Sequence, residues 1–268
     1  MILNNQLFLN LCNIAISAGL IINKYYKTNF KISIKDDKSP LTEADLNSNK
    51  YISESLSKIY PNIPILSEES LIDWSERRDW KTYWLIDPLD GTKEFINQND
   101  EFTVNIALIE KNKPVFGVIY APALFKLFYA SSNNGSFKLN TANTISTLKD
   151  SSRIKTNNKK NKELVNIIGS RSHANEYLNQ WIIKNFNEYN LIQKGSSLKF
   201  CEIAEGNADI YPRFGPTSEW DIAAGHIILT EAGGNLETID NKKILYNTKE
   251  SVINSDFIAS CKGVVIRE

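Results

Sequence analysis

Residues 83–95, YWLIDPLDGTKEF, constrain the fold most because an apolar run ends in two acids three residues apart. Such a run is typical of a buried strand whose end opens on a site. Pro88 and Gly91 favour a tight turn that would point Asp87 and Asp90 into one small volume. Two carboxylates held together repel each other unless a cation lies between them. The segment therefore predicts a site for a hard divalent cation such as Mg²⁺, and with it phosphate chemistry.

The composition limits the classes of function. At 268 residues and 42% hydrophobic content, the chain can form one large domain or two lobes around a buried core. Lys plus Arg and Asp plus Glu both count 31, so no basic excess favours a nucleic acid polymer. The 3 cysteines lie in apolar segments and predict reduced thiols, and with only 2 histidines a zinc hydrolase is disfavoured.

The sequence also gives an expectation for the compartment. Residues near the N-terminus do not resemble a signal peptide, and the apolar runs read as shorter than the roughly 20 residues of a membrane span. We therefore expect a cytoplasmic protein without an integral membrane segment. An amphipathic first helix leaves a peripheral position at the inner face of the membrane open, although its few cations favour packing on the core.

Hydrophobic periodicity predicts α+β structure in the first half. The spacing of apolar residues indicates helices over residues 3–25 and 42–60, and a short helix is expected near Thr92. Strands are expected at 63–66, 83–86, 102–109, 114–120 and 126–130, the last three as an antiparallel meander.

The second half reads as α/β structure. Strands are expected near 165–169, 191–194, 209–214 and 256–261, and helices at 174–186, 197–205 and from Ser218 to the Gly233–Gly234 pair. Residues 140–162 are rich in Ser, Thr, Asn and Lys and favour a loose edge region. We therefore expect an N-terminal α+β lobe over residues 1–140 and a C-terminal α/β lobe over 141–268, which together form one catalytic unit.

Four further acids are candidate ligands, and each has an ordinary alternative. Asp45 and Asp221 lie three residues after a hydroxyl residue, which is the spacing of a helix capping box, so each could be a cap or a ligand. Glu68 and Glu69 alone would fit a solvated loop.

Gly91 and Thr92, at the predicted turn, could contribute to a phosphate-binding site. Their N–H groups at the start of a helix could cradle a phosphate oxygen. The Thr92 hydroxyl could orient an attacking water, with Glu68 or Asp45 accepting its proton. The ordinary alternative is that Thr92 is the N-cap of the same helix.

Several strings resemble a known family. LSEES, WLIDPLDGTKEF and WDIAAGHIILTEAGG are similar to the signature regions of the inositol monophosphatase family of lithium-sensitive, Mg²⁺-dependent phosphomonoesterases. EFTVNIALIE, GVIYAPA, SRSHAN and GSSLKFCEIAEGNADIYPRFGPTSEWD resemble its 3′(2′),5′-bisphosphate nucleotidase branch, over nearly the whole chain. The resemblance implies a layered αβαβα sandwich of the inositol monophosphatase-like (sugar phosphatase) type, with the metal-binding turn between the lobes.

The resemblance also implies roles for individual residues. Metal ligands for two Mg²⁺ ions are implied at Glu68, Asp87, the carbonyl of Leu89, Asp90 and Asp221, with Asp87 bridging the ions. A third, weaker ion and the attacking water are implied near Glu68, with Asp45 and Thr92 as the activating pair. Glu69 is expected to be a neighbour of the site, or a ligand through water.

The substrate-binding residues implied by the resemblance are Gly91, Thr92, His173, Ser196, Lys199, Arg213 and Asp221. Lys199 and Arg213 suit a 5′-phosphate or stacking on adenine. Without the resemblance, both would read as solvated surface charges and His173 as a loop or cap residue. Inositol-directed relatives usually have a carboxylate where Arg213 stands, which disfavours inositol phosphate here.

The sequence therefore predicts an Mg²⁺-dependent phosphohydrolase that converts adenosine 3′,5′-bisphosphate to AMP and phosphate. Its sulfated precursor is a second candidate substrate, which places the enzyme in sulfur metabolism and nucleotide recycling. Two alternatives stay open: a monophosphatase for inositol or another sugar phosphate, and a nonenzymatic sensor of metal and nucleotide.

Overall fold

The computed structural model describes residues 4–28, 32–34, 40–159, 164–171 and 176–266. The described helices are α1 (Asn5–Tyr25), α2 (Glu43–Ile59), α3 (Trp74–Arg77), α4 (Thr92–Ile96), α5 (Glu176–Asn185), α6 (Leu198–Ala204) and α7 (Glu219–Glu231). The described strands are β1 (Ile32–Ile34), β2 (Pro40–Thr42), β3 (Ile65–Ser67), β4 (Thr82–Asp90), β5 (Thr103–Glu110), β6 (Lys113–Ala121), β7 (Lys126–Ser131), β8 (Gly135–Asn140), β9 (Ser152–Ile154), β10 (Val165–Ser170), β11 (Tyr189–Lys194), β12 (Ile210–Arg213), β13 (Asn235–Thr238) and β14 (Phe257–Ser260).

Two large sheets organise the described chain. The first has seven strands in the order β3-β4-β5-β6-β7-β8-β9, and each neighbouring pair is antiparallel except β3 and β4, which are parallel. The second has five strands in the order β11-β10-β12-β14-β13, in which β10 is parallel to both of its neighbours. β1 and β2 form a separate antiparallel pair.

Alternating apolar side chains stack these sheets and the helices into five layers. On β4, Trp84 and Ile86 pack with α1 and α2 in one core, whereas Tyr83 and Leu85 face a second core with α6 and α7. A third core joins Ile182 of α5 to the outer face of the five-stranded sheet. Because successive strand residues point to opposite faces, both faces of both sheets are covered. This confirms the predicted αβαβα sandwich.

The middle helical layer lies very close to the first sheet. A Cβ atom at Gly117 of β6 would come within 2.5 Å of Ile227 and 2.8 Å of the Ala224 carbonyl oxygen, both on α7. Only glycine therefore allows this approach, since real Cβ atoms do not pack so tightly. The contact holds α7, and with it Asp221, against the sheet that carries Asp87 and Asp90.

Most predicted elements are confirmed. The helices predicted from residues 3, 42, 174, 197 and 218 correspond to α1, α2, α5, α6 and α7, and the meander corresponds to β5, β6 and β7. The short elements α3, β8, β9, β13 and the β1-β2 pair were not anticipated. The three cysteines are free and buried, as expected for reduced thiols. β9 extends the first sheet past residue 140, and the division into lobes at that residue stays a prediction.

One expectation about apolar runs needs correction. α1 is long and apolar enough to cross a membrane by length and composition, and among the described residues it is the one helix that meets this test. Of its most apolar window, 56% is buried inside the protein. Its buried side chains, such as Leu11 and Ile16, pack in the core beneath the first sheet, as a core helix does.

Candidate active site

A bulge at the end of β4 brings two acids to the same side of the sheet. Asp87 pairs with Asn105 and Asp90 pairs with Thr103, so three steps along β4 match two steps along β5. Residues three apart on a regular strand point to opposite faces, and the extra residue removes that difference. The predicted tight turn at Pro88 is wrong in this respect because β4 continues to Asp90. Proline lacks an amide hydrogen and is tolerated at such a bulge.

Glu68 lies beside Asp87 because it directly follows β3, the parallel neighbour of β4. The acids at and around these two strand ends are called the acidic corner. Ser67 is in register with Ile86, so the next residues, Glu68 and Asp87, leave adjacent strands side by side. The Glu68 amide donates to the Ile86 carbonyl at 3.1 Å. The hydroxyl of Ser67 donates to Asn49 on α2 at 2.7 Å, which fixes the strand end against that helix.

Thr92 joins Asp45 and Leu89 beside these acids. The N-cap of α4 is Gly91 in the left-handed conformation, with φ of 88°, so the alternative that Thr92 is the cap is not what the structure shows. The Thr92 hydroxyl lies 3.2 Å from Asp45 Oδ1 and 3.3 Å from the Leu89 carbonyl oxygen. Both neighbours are acceptors, so the hydroxyl shares its single proton between them.

Asp45 and Asp221 each take part in a helix capping box and also lie at or beside the cleft. Asp45 Oδ2 accepts from the Thr42 amide at 2.8 Å, and Asp221 Oδ2 accepts from the Ser218 amide at 2.9 Å. Each belongs to a complete capping box. The cap occupies one carboxylate oxygen, and the other oxygen of Asp45 receives Thr92. The two alternatives that the sequence left open for these aspartates are therefore compatible.

Burial and mutual repulsion act on the acids of this corner. The pKa of Asp87 is raised well above its usual value, first by burial and then by Glu68, Asp90, Asp221 and Asp45. The pKa of Asp221 is also raised, first by burial and then by Asp90 and Glu68. For Asp221, the Ser218 amide and Arg213 act in the opposite direction, but burial and the neighbouring acids outweigh them.

This donor set fits a hard cation. Every donor is an oxygen, and a cation would relieve the repulsion that raises the pKa of Asp87 and Asp221. Within the described ranges, no three Asp, Glu, His or Cys side chains are grouped tightly enough to enclose an ion by themselves. The carboxylates would therefore need waters or a substrate phosphate to complete the coordination, which is how Mg²⁺ is commonly bound.

Cationic residues line the same cleft as these acids. Lys199 is buried, and its Nζ donates to the Ser196 carbonyl at 2.5 Å and lies 5.2 Å from the centre of the Tyr211 ring. Burial lowers the pKa of Lys199 to about 8, although Asp90 acts in the opposite direction. Arg213 Nη2 donates to the Pro216 carbonyl at 2.9 Å, while its buried Nε finds no hydrogen-bond partner in the part of the chain described.

The cleft brings most predicted site residues together. It has a cavity volume of about 260 Å³. The predicted residues that line it are Asp90, Gly91, Thr92, Ser196, Lys199, Arg213 and Asp221. Asp45, Glu68, Asp87 and Leu89 adjoin it through the contacts above. His173 lies outside the described residues. Glu69 is half-buried next to Glu68, and its role stays a prediction.

Of the residues that hold Asp90, sequence reasoning missed Ser197 and Asn105, and it predicted Ser196 only as a substrate contact. Asp90 Oδ2 accepts from the Ser197 amide at 2.6 Å and the Ser196 hydroxyl at 2.7 Å, with the Asn105 amide at 3.4 Å. Behind them, Thr103 is fully buried. The signal was present in the sequence, because Thr103 and Asn105 are polar residues at alternate positions of an otherwise apolar strand.

The fold and this acid-lined cleft define a phosphatase-type sandwich, and the chain belongs to the inositol monophosphatase family, whose sequence profile matches residues 4–263. It is 42% identical to the 3′(2′),5′-bisphosphate nucleotidase CysQ of Salmonella typhimurium over 92% of this chain and 96% of the relative. It is 44% identical to the nucleotidase of the same name from Buchnera aphidicola, over 93% of this chain and 92% of the relative.

A solved structure gives the same result. The crystal structure of CysQ from Bacteroides thetaiotaomicron, described as a bacterial member of the inositol monophosphatase family, matches with a TM-score of 0.81 and 38% identity. The match covers 94% of this chain and 97% of that one. The likeness therefore extends over both sheets and both walls of the cleft.

Proposed function

We propose that this chain is a 3′(2′),5′-bisphosphate nucleotidase that hydrolyses adenosine 3′,5′-bisphosphate to AMP and phosphate in the cytoplasm. The observation that carries the proposal is the pairing of two oppositely charged walls in one cleft. Asp90 lines the cleft and Asp87 adjoins it, and these acids form the acidic wall; Lys199 and Arg213 line the same cleft and form the cationic wall. A substrate with two phosphates can use both walls, whereas a monophosphate would leave one of them uncompensated.

The acidic wall supplies the metal site. We propose Glu68, Asp87, the Leu89 carbonyl, Asp90 and Asp221 as the residues that hold Mg²⁺. Bound there, Mg²⁺ would neutralise phosphoryl oxygens and lower the pKa of water. The requirement for Mg²⁺, and the presence of two or three ions, are part of this proposal.

Thr92 and Asp45 would handle the proton of the attacking water. The Thr92 hydroxyl can donate only to Asp45 or to the Leu89 carbonyl, so its lone pairs are available to a water in the cleft. As that water loses its proton to Thr92 Oγ1, the Thr92 proton passes to Asp45 Oδ1. The capping bonds on Asp45 Oδ2 keep this carboxylate oriented throughout.

The second wall would bind the nucleotide. Lys199 is held over the Tyr211 ring, and Arg213 keeps an unpartnered Nε at the cleft among the described residues. Buried cationic donors without full compensation favour a 5′-phosphate, since charge-assisted hydrogen bonds to phosphate are strong. Ser196, Gly91 and His173 are proposed as further substrate contacts. The sulfated nucleotide precursor has the same 3′-phosphate and carries a 5′-phosphosulfate, and it is a second candidate substrate.

A panel of substrates tests the function. Phosphate release from adenosine 3′,5′-bisphosphate, its 5′-phosphosulfate analogue and inositol 1-phosphate would be measured while Mg²⁺ is raised from zero. We expect release from the bisphosphate to depend on Mg²⁺ and to yield AMP, identified by chromatography. Faster release from inositol 1-phosphate would replace this proposal by an inositol monophosphatase. Tight bisphosphate binding with no release at any Mg²⁺ concentration would indicate a sensor.

A further inference from the structure

A buried polar cluster lies directly behind Asp90. It consists of Thr103 and Asn105 on β5 and Ser196 and Ser197 before α6. Thr103 Oγ1 lies 2.6 Å from the Ser196 hydroxyl, 2.8 Å from the Ser197 hydroxyl and 2.9 Å from Asn105 Oδ1. Ser197 Oγ is also 2.8 Å from Asn105 Oδ1. These contacts join residues about ninety positions apart in the sequence.

The number of hydroxyl protons limits which group donates each hydrogen bond in this cluster. The Ser196 hydroxyl has one proton and donates it to Asp90 Oδ2. The contact between Ser196 and Thr103 must then be a donation from Thr103, because each hydroxyl has a single proton. Ser197 also has one proton, which it can give to Asn105 Oδ1 or to Thr103, both at 2.8 Å. The donors that lead to the carboxylate are therefore Thr103 and then Ser196, and the Ser197 hydroxyl contacts Thr103 behind them.

Ser196 needs such support because its backbone is strained. Its φ of 56° lies in the left-handed region, which costs a residue other than glycine free energy and persists only where its surroundings hold it. The same loop also brings the Ser197 amide to Asp90 Oδ2 at 2.6 Å. Thr103 contacts both serines, so one buried hydroxyl holds the strained loop in place.

We propose that Thr103 is a positioning residue, which holds Ser196 and Ser197 on Asp90 Oδ2 and so presents the other oxygen of Asp90 to the metal. This inference rests on the proposed function, which places Asp90 at the metal site. Hydrogen bonds to a ligand carboxylate fix its orientation, and losing such outer contacts commonly lowers metal affinity by about 10–100-fold. Thr103 itself touches neither metal nor substrate.

Thr103→Val tests the role, because valine has nearly the shape of threonine without its hydroxyl. Binding of Mn²⁺, as a stand-in for Mg²⁺, would be measured by calorimetry on the full chain, together with the Mg²⁺ concentration that gives half-maximal phosphate release. We expect the Kd for Mn²⁺ and the Mg²⁺ concentration for half-maximal release each to rise about tenfold in Thr103→Val. Thr103→Ser keeps the hydroxyl and should restore values near those of the wild type, which a purely steric role would not require.

Ser136→Ala serves as the matched control. Ser136 is a fully buried hydroxyl in the same sheet, and its Oγ has no hydrogen-bond partner among the residues described. Its loss should leave Mn²⁺ affinity unchanged. If Thr103→Val does not fold, as judged by its melting curve, Ser197→Ala decides the question because it removes the hydroxyl that contacts both Thr103 and Asn105 behind Asp90, and it should weaken Mn²⁺ binding several-fold.

Two outcomes would overturn the inference. One is unchanged Mn²⁺ affinity in a folded Thr103→Val, or in Ser197→Ala if the valine variant does not fold. The other is an equal loss in Thr103→Val and Thr103→Ser. Failure of the proposed function is distinguishable, because a wild-type protein that binds Mn²⁺ without hydrolysing the bisphosphate defeats the function while the Mn²⁺ measurements still test Thr103.

Discussion

The two walls of the cleft each combine buried and half-buried charged residues, but they are held in different ways. On the acidic wall, the strand bulge, the parallel strand ends and two capping boxes fix the carboxylates. On the cationic wall, Lys199 and Arg213 are long side chains held by backbone carbonyls, two for Lys199 and one for Arg213. The difference indicates that the acidic wall is preorganised for chemistry, whereas the cationic wall can adjust to a ligand. Changes to the first wall should lower kcat, and changes to the second should raise KM.

Asp87→Asn, on the acidic wall, should have the largest effect on activity. Glu68, Asp90, Asp221 and Asp45 all repel the charged form of Asp87, which is proposed as one of the residues that would hold Mg²⁺. Since loss of an outer contact to a ligand already costs about 10–100-fold, removal of this ligand charge should lower kcat/KM by more than about 100-fold. Steady-state phosphate release in saturating Mg²⁺ measures the effect. Normal turnover would remove Asp87 from the site.

The same variant should be more stable than the wild type without metal. The folded-state pKa of Asp87 is raised, so the wild type loses stability as pH rises from the unfolded value of 3.8 through the folded value. At neutral pH in a chelator, Asp87→Asn should therefore melt at a higher temperature. Mg²⁺ should raise the melting temperature of the wild type and have little effect on the variant. A lower melting temperature for the variant in chelator would contradict this electrostatic account.

Thr92→Val should have the next largest effect. It removes the hydroxyl between Asp45 and the cleft while nearly keeping the shape, and general acid–base groups typically contribute about 10²–10⁴-fold. We expect kcat to fall by about 10² or more with little change in KM. Thr92→Ser should recover much of the rate. A rise in KM alone would assign Thr92 to substrate binding instead.

Arg213→Ala examines the other wall and should have a smaller effect. Loss of a charge-assisted contact costs about 1.5–3 kcal/mol, so KM for the bisphosphate should rise roughly 10–100-fold at similar kcat. The KM for a small phosphate ester without a second phosphate should hardly change, which provides the matched comparison. Equal losses for both substrates would place Arg213 outside nucleotide recognition.

The smallest expected effect is a pH dependence that originates at Lys199. Burial lowers its pKa to about 8, so its charge is present below that pH and is lost above it. KM for the bisphosphate should therefore rise above pH 8, by up to about tenfold per pH unit. Lys199→Arg keeps its charge and should flatten this rise. A wild-type KM that stays constant to pH 9.5 would show that Lys199 does not bind the anion.

The sequence predicted which residues form the acidic wall better than it predicted how the backbone brings them together. Periodicity placed the long helices, and acids at the ends of apolar runs marked Glu68, Asp87 and Asp90. The bulge could not be read, because it depends on the register between β4 and β5 and not on local turn residues. Pro88 and Gly91 are typical of a turn, yet pairing with β5 overrode that preference at Pro88.

Prediction of the second wall depended on the family resemblance. Lys199 and Arg213 read as surface charges by composition alone, and burial of Lys199 became visible only in the fold. The support for Asp90 was missed because Thr103 and Ser196 meet through tertiary contact across 93 positions. Short elements such as β9 and α3 lack enough periodic residues to be recognised.

The position of Asp221 on a helix between the two sheets has a consequence for the assembly of the protein during synthesis. The other carboxylates of the corner emerge from the ribosome well before α7 does. The proposed ion site would therefore be complete only after both sheets have closed on that helix. Magnesium would then bind late in folding, and it would stabilise the completed sandwich more than it would nucleate folding.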